Sequence, residues 1–177
     1  WMYSAVLPKP DEQVHSVEAT MNAFRVLGVN CPEAPPLRYE PHEEYAAKLS
    51  ESFKEPYAVI HPGAVMDTKR WAAGNFARLA RSLQEMGLTP VLTCGPGEEA
   101  ITAEVAKEMT SPKLVLGMSI PELAEFIRGA TLYAGNDSGP MHLAAAVGTP
   151  VVALWGSSES KRWRPWNVRH AVVQNPF

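Results

Sequence analysis

Residues 131–156 read TLYAGNDSGPMHLAAAVGTPVVALWG, and this stretch decides the fold. Two short apolar runs, 131–134 and 151–155, have strand length and β-branched character. Between them lies a turn, Asn136-Asp137-Ser138-Gly139-Pro140, then a helix predicted over 141–147 and stopped by Gly148 and Pro150. Gly139 lets backbone come close to a ligand, and Pro140 has its φ preset for a first helical turn. The small side chains of Ala144, Ala145 and Ala146 let the helix pack near a sheet.

The same rhythm of strand, loop and helix runs upstream. Tyr57–His61 is a predicted strand that enters Pro62-Gly63, and Phe76, Leu79, Ala80 and Leu83 mark a helix that Gly87 closes. A strand over 90–94 leads into Gly95-Pro96-Gly97, a helix carries Ile101, Val105 and Met109, and residues 113–116 form a brief strand. Ser119 and Glu122 have capping-box spacing ahead of a helix with Leu123, Phe126 and Ile127 on its buried face. Residues 171–173 complete the strands. Short strands alternating with amphipathic helices predict an α/β fold, a Rossmann-like doubly wound parallel sheet over residues 55–177.

Residues 1–54 have a different texture. The start is Pro-rich, helices are predicted over 16–27 (ended by Gly28) and 42–53, and residues 31–41 hold four prolines and read as a linker.

Composition narrows the class. A 177-residue chain with 46% hydrophobic and 20% charged residues is ordinary for a globular α/β domain with a small appendage. A formal charge of −3 does not favour nucleic acid, and the Arg162-Trp163-Arg164-Pro165-Trp166 cluster is too short and interrupted to change that. No apolar run approaches the ~20 residues that span a bilayer. No signal peptide is visible, and the two cysteines, Cys31 and Cys94, read as free thiols of a cytoplasmic protein. Beginning at Trp1 and ending at Phe177, both apolar, the chain reads as a fragment.

Ligands of an open parallel sheet gather beyond the carboxyl ends of the strands. Four Gly-containing junctions are expected there: His61-Pro62-Gly63, Gly95-Pro96-Gly97, the 136–140 turn, and Trp155-Gly156-Ser157-Ser158. At the 136–140 turn, helix-start amides and the positive end of the dipole make an anion site, with His142 in the first turn able to donate to phosphate. Asp137 is an awkward neighbour for an anion and is assigned to holding the turn. The same residues would equally make a ligand-free strand–helix connection with an N-cap. Lys69 could neutralise a diphosphate or lie solvated at the surface. Glu98 and Glu99 open a helix, where carboxylates favour the dipole, and one could instead accept from ribose hydroxyls. His61 could touch a substrate or be structural, and Trp71 reads as a packing residue. There is no Walker loop, G-x-G-x-x-G, Cys/His metal spacing or nucleophile elbow.

In order, His61-Pro62-Gly63-Ala64, Lys69-x-Trp71, Phe76-Ala-x-Leu79-Ala, Gly95 before the glutamates, Met118-Ser119-x-Pro121-Glu122-Leu123, Asp137-Ser138-Gly139-Pro140-x-His142-Leu143-Ala144-Ala145-Ala146 and Leu154-x-Gly156-Ser157 are similar to glycosyltransferase family 9, the ADP-heptose:lipopolysaccharide heptosyltransferases. The resemblance implies the C-terminal half of a GT-B glycosyltransferase. Residues 1–54 would bridge to a missing N-terminal domain that carries the catalytic base and most acceptor contacts. It implies inverting, metal-independent glycosyl transfer, with no cofactor, from a nucleotide sugar (ADP-heptose first) to a lipid-linked, lipopolysaccharide-core-type saccharide. The place implied is the cytoplasm, with peripheral contact at the inner face of the cytoplasmic membrane. Carried over by residue, Ser138, Gly139 and His142 meet the donor diphosphate with Lys69 helping, and Asp137 holds their turn. Glu98 takes the ribose, and Met118 with the backbone before it borders the nucleobase. The family's Pro after the Trp of Lys-x-Trp is Ala72 here. Two other readings compete: a non-catalytic nucleotide-sugar-binding module, and a GT-B-like sugar-nucleotide epimerase, which would need an acidic pair that the sequence does not display.

Overall fold

Continuous burial along a strand needs a covering layer on each face, and Tyr57–His61 has both. A computed structural model of the chain describes residues 11, 13–156 and 159–174. The first ten residues and the Ser157-Ser158 end of the fourth junction lie outside the described residues. In β1 (Tyr57–His61), Tyr57 and Val59 face one hydrophobic cluster while Ala58 and Ile60 face the other. The remaining strands are β2 (Thr89–Leu92), β3 (Lys113–Leu114), β4 (Leu132–Asn136), β5 (Val151–Trp155) and β6 (His170–Gln174). All pair in parallel in the order β3-β2-β1-β4-β5-β6. The expected doubly wound sheet is therefore present, and its order reverses between β1 and β4.

Helices α3 (Ala73–Glu85) and α4 (Glu99–Lys107) cover one face with Phe76, Ala80, Leu83 and Val105. On the other face, α5 (Ile120–Arg128) and α6 (Gly139–Val147) bury Leu123, Phe126, Ile127, Met141 and Ala144. Fully burying a ring such as Phe76 or Phe126 stabilises the fold by about 1.5–3 kcal/mol. Helices α1 (Ser16–Val26) and α2 (Glu43–Ser52) fall where expected. Gly28 and Gly148 follow the ends of α1 and α6 with φ of 84°, the left-handed conformation that lets a chain leave a helix. Tyr39, Leu49 and Phe53 pack on the cluster under α5 and α6, so the linker and α2 are layered onto the sheet domain.

Several boundaries differ from expectation. Thr93 leaves the β2 ladder although its amide still bonds the Ile60 carbonyl at 3.0 Å, and β3 keeps two residues, both exposed. Strand β6 extends to His170 and Gln174, polar residues tolerated because this is a largely exposed edge. A 3-10 turn at Asp67–Lys69 and the short α7 (Ser160–Trp163) carry no hydrophobic period and were not predicted.

Candidate functional site

The loops after β1, β2, β3 and β4 converge at the strand-order reversal and enclose a cleft of about 710 Å³. Lys69, Glu98, Met118, Asp137, Ser138, Gly139 and His142 all line it. Seven candidates drawn from four separate loops thus share one concavity.

Asn136 organises the floor. It is fully buried; its Nδ2 donates to the Pro62 carbonyl at 2.8 Å and its Oδ1 accepts from the Trp71 amide at 3.1 Å. The loop after β1 is thereby stitched to the end of β4. Sequence reading passed over this role; the signal was an amide at a strand end inside an otherwise apolar run. Trp71 packs edge-on against Phe76, as expected of a packing residue.

The start of α6, where an anion site is expected, lines the cleft. Ser138 is its N-cap residue in extended conformation, but the hydroxyl donates to the Asn136 carbonyl at 3.2 Å and makes no cap bond. A Cβ built on Gly139 would meet nothing within 4 Å, so the turn opens directly onto the cleft. His142 lies one turn in, and burial lowers its pKa, with Asp137 opposing. Its imidazole is accordingly neutral at pH 7 until an anion arrives.

Charge in the cleft is arranged differently from expectation. Lys69 Nζ donates to Asp137 Oδ2 at 2.6 Å, so the expected diphosphate partner is already ion-paired. Asp137 does more than hold its own turn: it fixes the cation above the helix start. Glu98 is the N-cap residue of α4, yet its side chain makes no cap bond. Its Oε2 instead accepts from the Gly95 amide at 2.8 Å and lies 3.2 Å from Nε2 of the buried His61. The His61 imidazole lowers the Glu98 carboxyl pKa; desolvation opposes this and the Gly95 amide assists. Two carboxylates, Glu98 and Asp137, therefore line the cleft. Each is engaged by its own basic side chain.

Met118 and Leu123 give the β3 side of the cleft an apolar wall with Pro96 and Ile120. Cys94 borders the same wall, and burial raises its thiol pKa. Among the described residues, no group of three or more His, Cys, Asp or Glu side chains is placed to hold a metal ion. No described helix is long and apolar enough to cross a membrane.

Comparison with known proteins follows the same lines. Lipopolysaccharide heptosyltransferase 3 of Escherichia coli K12 is 40% identical over 119 residues, covering 64% of this chain and 34% of that protein. Lipopolysaccharide heptosyltransferase 1 of Salmonella typhimurium LT2 is 30% identical over 155 residues, covering 84% of this chain and 47% of that protein. The chain thus spans less than half the length of these two relatives. The crystal structure of a glycosyl transferase family 9 protein from Veillonella parvula DSM 2008 superposes with a TM-score of 0.86 at 26% identity, over 97% of this chain and 51% of that one. The sequence profile described as glycosyltransferase family 9 (heptosyltransferase) matches residues 1–177, and the chain belongs to that family.

Proposed function

We propose that this chain is the donor-binding half of an inverting, metal-independent glycosyltransferase that takes a heptosyl group from a nucleotide diphosphate sugar, ADP-heptose first. Residues 55–177 form the nucleotide-sugar domain, and residues 1–54 join it to an N-terminal domain that supplies the base and the acceptor site. The acceptor is a lipid-linked saccharide of the lipopolysaccharide core, met at the inner face of the cytoplasmic membrane. The observation that carries this reading is the meeting of Lys69, Glu98, Met118, Asp137, Ser138, Gly139 and His142 in one cleft where the strand order reverses.

In the transfer, an acceptor hydroxyl attacks the anomeric carbon while the bond to the diphosphate oxygen breaks. Negative charge then grows on the departing diphosphate. In this reading the α6 dipole, the Lys69 ammonium and a His142 N–H stabilise that charge. Glu98 accepts from the ribose, and the Met118 wall receives the base. Relatives named as heptosyltransferases support the sugar.

Calorimetric titration of the chain with ADP, UDP, GDP and an ADP-sugar tests the reading. ADP and the ADP-sugar are expected to bind best. Lys69→Ala and His142→Ala are each expected to weaken binding by about 1–3 kcal/mol, the range for hydrogen bonds to charged groups. Unchanged affinity in both variants would remove them from the site.

A further inference from the structure

We infer that His61 is a positioning residue for nucleotide recognition: its buried imidazole fixes the Glu98 carboxylate so that the cleft distinguishes a ribose from a sugar lacking the 2′ and 3′ hydroxyls. The inference rests on the reading of Glu98 as the ribose acceptor.

His61 ends β1 in register with Gly135 of β4 and is 1% exposed at the floor of the cleft. Both ring nitrogens lack a hydrogen-bond partner among the described residues. The acid beside it is Glu98, whose Oε2 lies 3.2 Å from Nε2, a contact through which the imidazole lowers the Glu98 carboxyl pKa. A buried imidazole left short of hydrogen bonds costs free energy that an apolar side chain would not. Its value at this position lies in what it faces.

Glu98 is held from three directions. The Gly95 amide takes Oε2 at 2.8 Å, and the imidazole stands beside the same oxygen. On the third side the carboxylate rests against Gly63, where a Cβ would fall 2.1 Å from Oε2 and 2.4 Å from Oε1. An N-cap glutamate facing solvent would sample several rotamers; this one has a single place to lie. With Oε2 committed, Oε1 is the acceptor left for a ligand. A carboxylate fixed in this way discriminates strongly, because a ligand without the matching hydroxyl leaves it desolvated and unpaired.

The test is calorimetry on the 177-residue chain with ADP and with 2′,3′-dideoxy-ADP. The parent chain is expected to prefer ADP by roughly tenfold or more. His61→Leu should bring that preference close to unity, while His61→Gln, which keeps a nitrogen donor, should restore much of it. Gly63→Ala leaves the imidazole in place and displaces only the flexible end of Glu98, so it should cause the same collapse. Melting temperature and binding of inorganic pyrophosphate report whether each variant is folded. A folded His61→Leu chain that keeps the parent preference overturns the inference, as does Gly63→Ala with its preference intact if His61→Leu does not fold. Equal binding of the two nucleotides by the parent chain overturns it too, while leaving the diphosphate seat standing. Failure of the parent chain to bind ADP removes the donor-site reading and this inference together.

Discussion

Lys69 and Asp137 are 68 positions apart in sequence and 2.6 Å apart in space, and the pair has two consequences. Asp137 is 7% exposed and Lys69 26%, so the ammonium offsets a largely desolvated carboxylate. Lys69→Ala should therefore lower stability as well as weaken ADP binding, whereas Lys69→Arg should spare stability more than affinity. Urea unfolding of both variants separates the two effects. The buried histidines set a pH dependence of their own. Burial lowers the pKa of His142 and of His15 below the ordinary 6.5, so the unfolded chain takes up these protons first. Stability is then full above about pH 6.5 and falls as pH drops through the lowered folded-state values. The melting temperature of the ligand-free chain should decline between pH 7 and pH 5, and His142→Gln should flatten part of that decline. A profile as steep in His142→Gln as in the parent would exclude His142 as a source. Residue types at the cleft were legible in the sequence; their partners were not. Both Lys69–Asp137 and His61–Glu98 depend on how loops from different strands meet, which no local pattern encodes.

Elements were legible where they carry a period or a cap. Helix α5 starts with the full capping box: the Ser119 hydroxyl accepts from the Glu122 amide, and the Glu122 carboxylate accepts from the Ser119 amide at 2.8 Å. Since that start borders the cleft, Ser119→Ala should cost about 0.5–2 kcal/mol in urea unfolding. Strands β1, β4 and β5 were legible because strands buried on both faces are apolar for most of their length, although β4 runs on to Asn136, past its expected end at residue 134. By contrast, β6 hid behind its edge polarity. The 3-10 turn that carries Lys69 is held by contacts rather than propensity. Arg70 Nε donates to the Ala64 carbonyl at 2.9 Å, and Gly156 lies against the turn so closely that a Cβ would meet the Thr68 carbonyl oxygen at 2.4 Å. That neighbour is backbone and cannot swing aside. Gly156→Ala should push the turn away, costing about 1–3 kcal/mol of stability and weakening ADP binding through Lys69. Unfolding and calorimetry on this one variant decide it; a stable chain with parent affinity would mean that the contact at β5 does not place the turn.

Across the whole molecule, Arg128 is one of the ties between residues 13–54 and the sheet domain, and it lies at the end of α5 remote from the cleft; His15 and Pro35 make others, to Arg164 and Trp166. Arg128 donates to the Tyr39 carbonyl at 2.7 Å and pairs with Glu125, whose side chain is 1% exposed. Glu125 Oε1 also accepts from the His42 amide at 3.1 Å, and the Tyr39 amide bonds the Ala146 carbonyl at 3.2 Å. These contacts gather at the C-terminal ends of α5 and α6, while the N-terminal ends of the same two helices border the cleft. Nine helical residues separate the two ends, about 13 Å at 1.5 Å per residue. A local defect at the seam should therefore cost stability without reaching the nucleotide. Arg128→Ala leaves the buried Glu125 carboxylate facing only the His42 amide, and about 2–4 kcal/mol should be lost. That is short of a fully buried pair, because Arg128 keeps 29% of its side chain exposed. Below the onset of unfolding, ADP affinity should match the parent chain. A loss of affinity proportionate to the loss of stability would show that the seam and the cleft move as one, and that the segment before β1 shapes the proposed nucleotide site.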